Sequence, residues 1–259
     1  MKILRRPLLL CILLFPAPGL CASQAAARMK VYFRDAFLPH LWDDTRNTFG
    51  RPANLLRLGA GAALTVAAHQ YDGPVNDYWK DHRLDYGLAD FGNEFWGNGG
   101  VQGGLALSLM FIGWGADNAR LADTGEVLVE AQLIQGALIN VIKPIAGKQR
   151  PDHSDNLSFP SGHTGTAFCT AAVIHHRLGW HYGAPAYALA VVTAMSRMDV
   201  QAHWLSDTVM GAAIAMVTGY AVSRYHDDYP YTVTWKKPRL SLTPVLGEGR
   251  YGIMVAGSF

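Results

Sequence analysis

The stretch PSGHTGTAFCTAAVIHHRL, residues 160–178, reads as a turn followed at once by a helix. Pro160 and Gly162 punctuate the turn, and small and apolar residues then continue without a breaker to Leu178. Apolar runs of helical length also occupy residues 54–70, 101–116, 122–146, 184–197 and 204–223. Together they predict an all-α fold, a helical bundle of about six core helices. Residues 71–100, rich in Gly, Asp and aromatics, read as a loop. The glycines of residues 97–104 lack the spacing and the Lys-Ser or Lys-Thr of a nucleotide loop, so close packing or a tight turn accounts for them better.

The two ends of the chain differ from this middle. Residues 240–246 and 251–259 flank a glycine-containing turn at 247–249 and predict a short C-terminal β-hairpin laid against the bundle. A membrane barrel needs at least about eight strands, so the hairpin does not signal one. At the start, Lys2, Arg5 and Arg6 precede a short apolar core at residues 8–15 and small residues near 22–27. That is the layout of a secretory signal peptide, too short in its apolar part to span a bilayer comfortably. The expected organisation is therefore a signal at 1–26, a helical domain at 27–238 and the hairpin at 239–259.

Composition narrows the function classes. Half of the 259 residues are apolar and the formal net charge is +2, with no Lys- or Arg-rich block. Nucleic acid is not an expected partner. Cys11 and Cys21 fall in the leader, which leaves Cys169 without a disulfide partner; among small residues it reads as a buried, inert thiol.

Three blocks in the second half carry chemistry. Lys143 is followed seven places later by Arg150 and Pro151; then come Pro160-Ser161-Gly162-His163; last come Ser196-Arg197, His203 and Asp207. Lys143, Arg150 and Arg197 sit at or near the ends of otherwise apolar helices, and three converging cations suit a doubly charged phosphate. The turn at Ser161 and Gly162 adds backbone N–H donors at a helix N-terminus, with the Ser161 hydroxyl beside them. His203 and Asp207 are four apart and share a helical face, so the carboxylate can fix the imidazole tautomer and leave the other ring nitrogen to attack phosphorus. His163 is then the group that protonates the departing alkoxide. A Ser161 nucleophile is the rival reading, but the Gly-x-Ser-x-Gly spacing of a nucleophile elbow is missing. His175 and His176 are adjacent, not four apart, so they read as a helix-end cap and no metal site is expected.

In their order and spacing these blocks resemble the signature of the type 2 phosphatidic acid phosphatase superfamily, which also includes bacterial non-specific acid phosphatases and vanadium-dependent haloperoxidases. The resemblance runs from Lys143 to Asp207 with no departure at a signature position. It implies that His203 is the nucleophile, Asp207 its partner and His163 the general acid. It also implies that Lys143, Arg150, Ser161, Gly162 and Arg197 hold phosphate, and that no cofactor is needed. The expected activity is hydrolysis of phosphomonoesters, lipid phosphates first, through a phosphohistidine. A soluble periplasmic acid phosphatase and a vanadium haloperoxidase are the alternatives. The expected setting is the cell envelope, with membrane association and a site on the periplasmic side.

Overall fold

A computed structural model describes residues 37–229 and, as backbone only, 239–247 and 250–258. The expected leader at 1–26, with Cys11 and Cys21, lies outside the described residues. In chain order, α1 is Leu38–Gly50, α2 Pro52–His69, α3 Asp72–Asp81 and α4 Tyr86–Asp90, followed by a π-helical segment, Phe91–Trp96. Then come α5 Gly99–Ala116, α6 Ala119–Ala146, α7 Gly162–Leu178, α8 Trp180–Asp199 and α9 Leu205–Asp228. The six long runs expected from the periodicity are α2 and α5 to α9.

Two expectations are corrected. The stretch 71–100 is not a loop: α3, α4 and the π-helical segment occupy most of it. Its helices are short and interrupted by Gly and Asp, so no apolar period extends far enough to be read. The C-terminal β-hairpin laid against the bundle is not supported, and the body holds more helices than about six. The described body, residues 37–229, is helical and contains no strand. Arg239–Gly247 and Arg250–Ser258 run extended and pair antiparallel with each other, and their main contact is with each other. A two-stranded ribbon on its own is marginal in water, so alternation of residues there gave extended backbone without a place in the fold.

The bundle is built by close approach of small residues. α7 packs on α8 and α9, α6 on α5 and α7, and α9 also on α2. Ala167, Ala171, Ala186 and Ala190 form a buried seam between α7 and α8. Larger side chains, among them Val127, Leu128 and Ile139 of α6 and Ile214 and Val222 of α9, fill the rest of the interior. Each such buried aliphatic group contributes about 1.5–3 kcal/mol. Gly125 lets α5 and α6 touch, because a Cβ there would stand 2.3 Å from the Met110 nitrogen. Cys169 is fully buried and unpaired, and burial pushes its thiol up, as expected of an inert cysteine.

Chain direction puts the chemistry at one end. α6 ends near Lys143, α7 leaves from Ser161, α8 returns to Arg197 and α9 leaves again from Leu205. The signature residues thus cluster where two helices end and two begin.

Candidate active site

Ser161 caps α7, and its backbone N–H donates to the Asp207 carbonyl at 3.0 Å, tying the start of α7 to the start of α9. In the first turn the N–H groups of Gly162 and His163 have no intrahelical acceptor, which makes this end a place for an anion. Gly211 permits the junction. A Cβ at that position would lie 2.4 Å from the Ser161 carbonyl oxygen, a backbone atom that cannot step aside. Gly211→Ala is therefore expected to cost about 1–3 kcal/mol through overpacking. Thermal unfolding checks this, and an unchanged melting temperature would contradict the close approach.

Around this turn the expected cations and histidines come together. Lys143 donates to the Leu157 carbonyl at 2.6 Å. Arg150 donates through Nε to Asp155 at 2.7 Å and through a terminal nitrogen to the Ala202 carbonyl at 3.1 Å. Arg197 is only 9% exposed, and its Nε has no hydrogen-bond partner. Burial, with Arg150 adding to it, lowers Lys143 to about 8 and Arg197 to about 10. His163 is lowered to about 4 by burial and by the charges of Arg197, Lys143 and Arg150. His203 is lowered to about 4 mainly by burial, with Arg197 and Lys143 adding to it. These mutual effects place the five groups within electrostatic reach of one another. Three cations beside two histidines suit a phosphate dianion, although Arg150 is already paired with Asp155.

Asp207 sits at the N-terminus of α9, and its Oδ2 accepts from the Trp204 N–H at 2.9 Å and the Ser158 hydroxyl at 2.5 Å. Oδ1 accepts from Lys148 at 2.9 Å. His203 Nδ1 lies 3.7 Å from Oδ2, an ion-pair distance and not a hydrogen bond, and Nδ1 has no hydrogen-bond partner. Burial works to raise the Asp207 carboxyl, but its contacts with His203, Ser158 and Lys148 hold it below its usual value. The one-turn spacing thus faces His203 toward Asp207, while the carboxylate is already engaged by other donors.

The segment misread as a loop backs this site. Leu84 N–H donates to Asp199 Oδ1 at 3.0 Å, and Arg83 contacts the Asp199 carbonyl. A Cβ on Gly97 would stand 3.1 Å from His163 Cβ, so the π-helical segment ends against that histidine. Lys148, Ser158, Asp72 and Ser206 were not legible as site neighbours. His176 bonds Asp227 at 2.7 Å beside the end of α7, in keeping with a helix-end role.

The cationic and histidine side chains thus lie at one end of a helical bundle, where two helices end and two begin. Residues 127–230 match the family model of the PAP2 superfamily. That match contains all three sequence blocks, so the segment from Lys143 to Asp207 is similar to that superfamily in the way the blocks implied. The chain is 35% identical over 122 residues to the lipid A 1-phosphatase of Porphyromonas gingivalis, covering 44% of this chain and 27% of that protein. It is 33% identical over 110 residues to the lipid A 4'-phosphatase of Helicobacter pylori, covering 40% of this chain and 51% of that protein. The chain thus spans about a quarter of the first relative's length and about half of the second's. A solved structure of a transmembrane PAP2-type phosphatidylglycerolphosphate phosphatase from Bacillus subtilis superposes with a TM-score of 0.52 at 20% identity. That superposition covers 71% of this chain and 98% of the other, and it supports the fold.

Two of the described helices, α6 and α9, are long and apolar enough to cross a membrane. Their most apolar windows are 50% and 67% buried within the bundle. Leu55, Leu56, Leu64 and Val66 on α2 and Val141 and Ile145 on α6 leave large apolar side chains exposed. Both features fit membrane association.

Proposed function

We propose that this protein is a membrane-associated phosphatase that hydrolyses a lipid phosphomonoester through a phosphohistidine on His203. The observation that carries the reading is that Lys143, Arg150 and Arg197 all act on the partly buried His163, and Lys143 and Arg197 on the buried His203, beside the N-terminus of α7. In the first step His203 Nε2, neutral above about pH 4, attacks phosphorus while Asp207 faces Nδ1 on the far side of the ring. The N–P bond forms and the bond to the leaving oxygen breaks. His163 donates its proton to that oxygen, and the arriving phosphate dianion raises the basicity of His163 enough for it to carry one. In the second step His163 takes a proton from water, the water oxygen bonds to phosphorus, and the N–P bond breaks.

Lys143, Arg150, Arg197 and the N–H groups of the α7 first turn hold the equatorial oxygens and stabilise the charge that spreads over them. Three fixed cations supply the charge stabilisation, so catalysis is expected not to require a metal ion. The likeness to lipid A phosphatases and the exposed apolar side chains favour a phosphorylated glycolipid or glycerolipid as substrate.

The test is a panel with the purified full chain in mixed micelles: lipid A, phosphatidate, phosphatidylglycerophosphate and a soluble aryl phosphate, each with and without EDTA. Phosphate release from at least one lipid, faster than from the aryl ester and unaffected by EDTA, is the expected result. Hydrolysis of the aryl ester alone would remove the lipid substrate. Loss with EDTA that added metal restores would remove the metal-free mechanism.

A further inference from the structure

Lys148 lies in the loop between α6 and α7, two residues before Arg150, and its ammonium group has three N–H donors. All three are used. They reach Asp72 Oδ2 at 2.9 Å, Ser206 Oγ at 2.7 Å and Asp207 Oδ1 at 2.9 Å. Asp72, at the start of α3, is itself fixed: it accepts from the Ser206 N–H and hydroxyl, each at 2.8 Å, and contacts His69 Nδ1 at 2.8 Å. The Lys148 ammonium also stands 5.8 Å from the Trp204 ring and 6.0 Å from the Phe159 ring. Its own carbonyl accepts from the Ser158 N–H at 3.0 Å, and Ser158 is the second side chain bound to Asp207.

A surface lysine with one carboxylate partner is usually solvated and contributes little. Lys148 is different in kind, because it bridges two carboxylates that are 7% and 0% exposed and holds both oxygens of Asp207 in a fixed direction together with Ser158 and Trp204. With Oδ1 held by Lys148, Oδ2 is the atom left facing His203.

We propose that Lys148, anchored by Asp72 and Ser206, is a positioning residue that orients Asp207 toward His203 and balances its charge during phosphoryl transfer. The proposal rests on the reading of His203 as the nucleophile. Lys148 does not touch the reacting atoms and acts only through Asp207. The imidazole of His203 faces Asp207 from α9, Lys143 from α6, Arg197 from α8 and His163 from α7, with Arg150 bonded to the neighbouring Ala202 carbonyl. Removing the positive charge of Lys148 from behind Asp207 lets the carboxylate act more strongly on that ring. His203 should then hold its proton to higher pH.

The experiment measures Lys148→Gln, Lys148→Met and Lys148→Arg in the full chain. The readouts are the His203 ring titration by NMR and, on the phosphate ester that the wild type hydrolyses, kcat, KM and the acid limb of the pH profile. Burial and the charges of Arg197 and Lys143 lower the wild-type ring to about 4. Lys148→Gln, which removes the charge but retains two N–H donors, should raise that midpoint by roughly one pH unit. It should also lower kcat by up to about a hundredfold with KM nearly constant, and Lys148→Arg should recover most of the loss. Lys148→Gln remains informative where Lys148→Met does not fold. An unshifted His203 titration in folded Lys148→Gln, or a change confined to KM or to melting temperature, would overturn the proposal. The NMR midpoint is readable without turnover, so an inactive wild type would refute the phosphatase reading alone.

Discussion

Replacing His203 by Ala is expected to lower kcat by at least about a thousandfold, on the scale of losing a catalytic nucleophile. No neighbouring group can take its place. His163 is committed to proton transfer, and the hydroxyl candidate at the turn, Ser161, is fully buried with its Oγ engaged by Thr164, to which it donates at 3.0 Å. The substitution should be mild for the fold. His203 Nδ1 has no hydrogen bond to lose, and the Asp207 carboxylate keeps Lys148, Ser158 and the Trp204 N–H. The measurement is steady-state phosphate release alongside thermal unfolding. Turnover within tenfold of the wild type would take His203 out of the chemistry.

Arg197→Met is expected to act in opposite directions on activity and stability. The guanidinium is almost buried, its Nε lacks a partner, and burial together with Arg150 disfavours its charge. An arginine held under those conditions costs stability in the absence of an anion, and a bound phosphate would supply its missing partner. Its loss should reduce kcat/KM by about 10²–10³, the scale of one donor aimed at developing charge. The melting temperature of the unliganded protein should stay level or rise. Arg197→Lys should rescue little, because a single ammonium cannot reproduce the forked donors. Kinetics and unfolding scans on the same preparations check both signs. A destabilised but active variant would mark Arg197 as structural.

Much of this site was readable because its signature residues follow local rules. Pro160 and Gly162 announce a turn and a helix start, and α7 does begin there, at Gly162, with Ser161 as its cap. The long helices were legible from unbroken apolar runs, and α7 begins and ends within a residue of expectation. What escaped was non-local. Lys148 looks like one more basic loop residue until Asp72, 76 positions earlier in the chain, is brought against it. Gly211 carries no signal until α9 is pressed against the Ser161 carbonyl. The stretch 71–100 hid α3 and α4 because helices of ten and five residues give too few turns for a period. At the other end, alternation led to extended backbone over Arg250–Ser258 but said nothing of what it would pack on.

The pairing of His203 with Asp207 was anticipated from their spacing, and the geometry sharpens it. At 3.7 Å the two face each other without a hydrogen bond, with the carboxylate already held by three other donors. A phosphoryl group on Nε2 would leave the ring cationic, and the short move that closes the gap to Oδ2 would then be favoured. The carboxylate is thus set to stabilise the intermediate more than the resting imidazole, which is where a catalyst gains rate.

The most direct measurement is rapid quenching of the enzyme with substrate carrying a radiolabelled phosphate, followed by peptide mapping. The account predicts a label that is stable to alkali, labile to acid and confined to the peptide bearing His203, absent from His203→Ala and persisting longer in His163→Ala. A label on Ser161, or undiminished turnover with no label at His203, would contradict it.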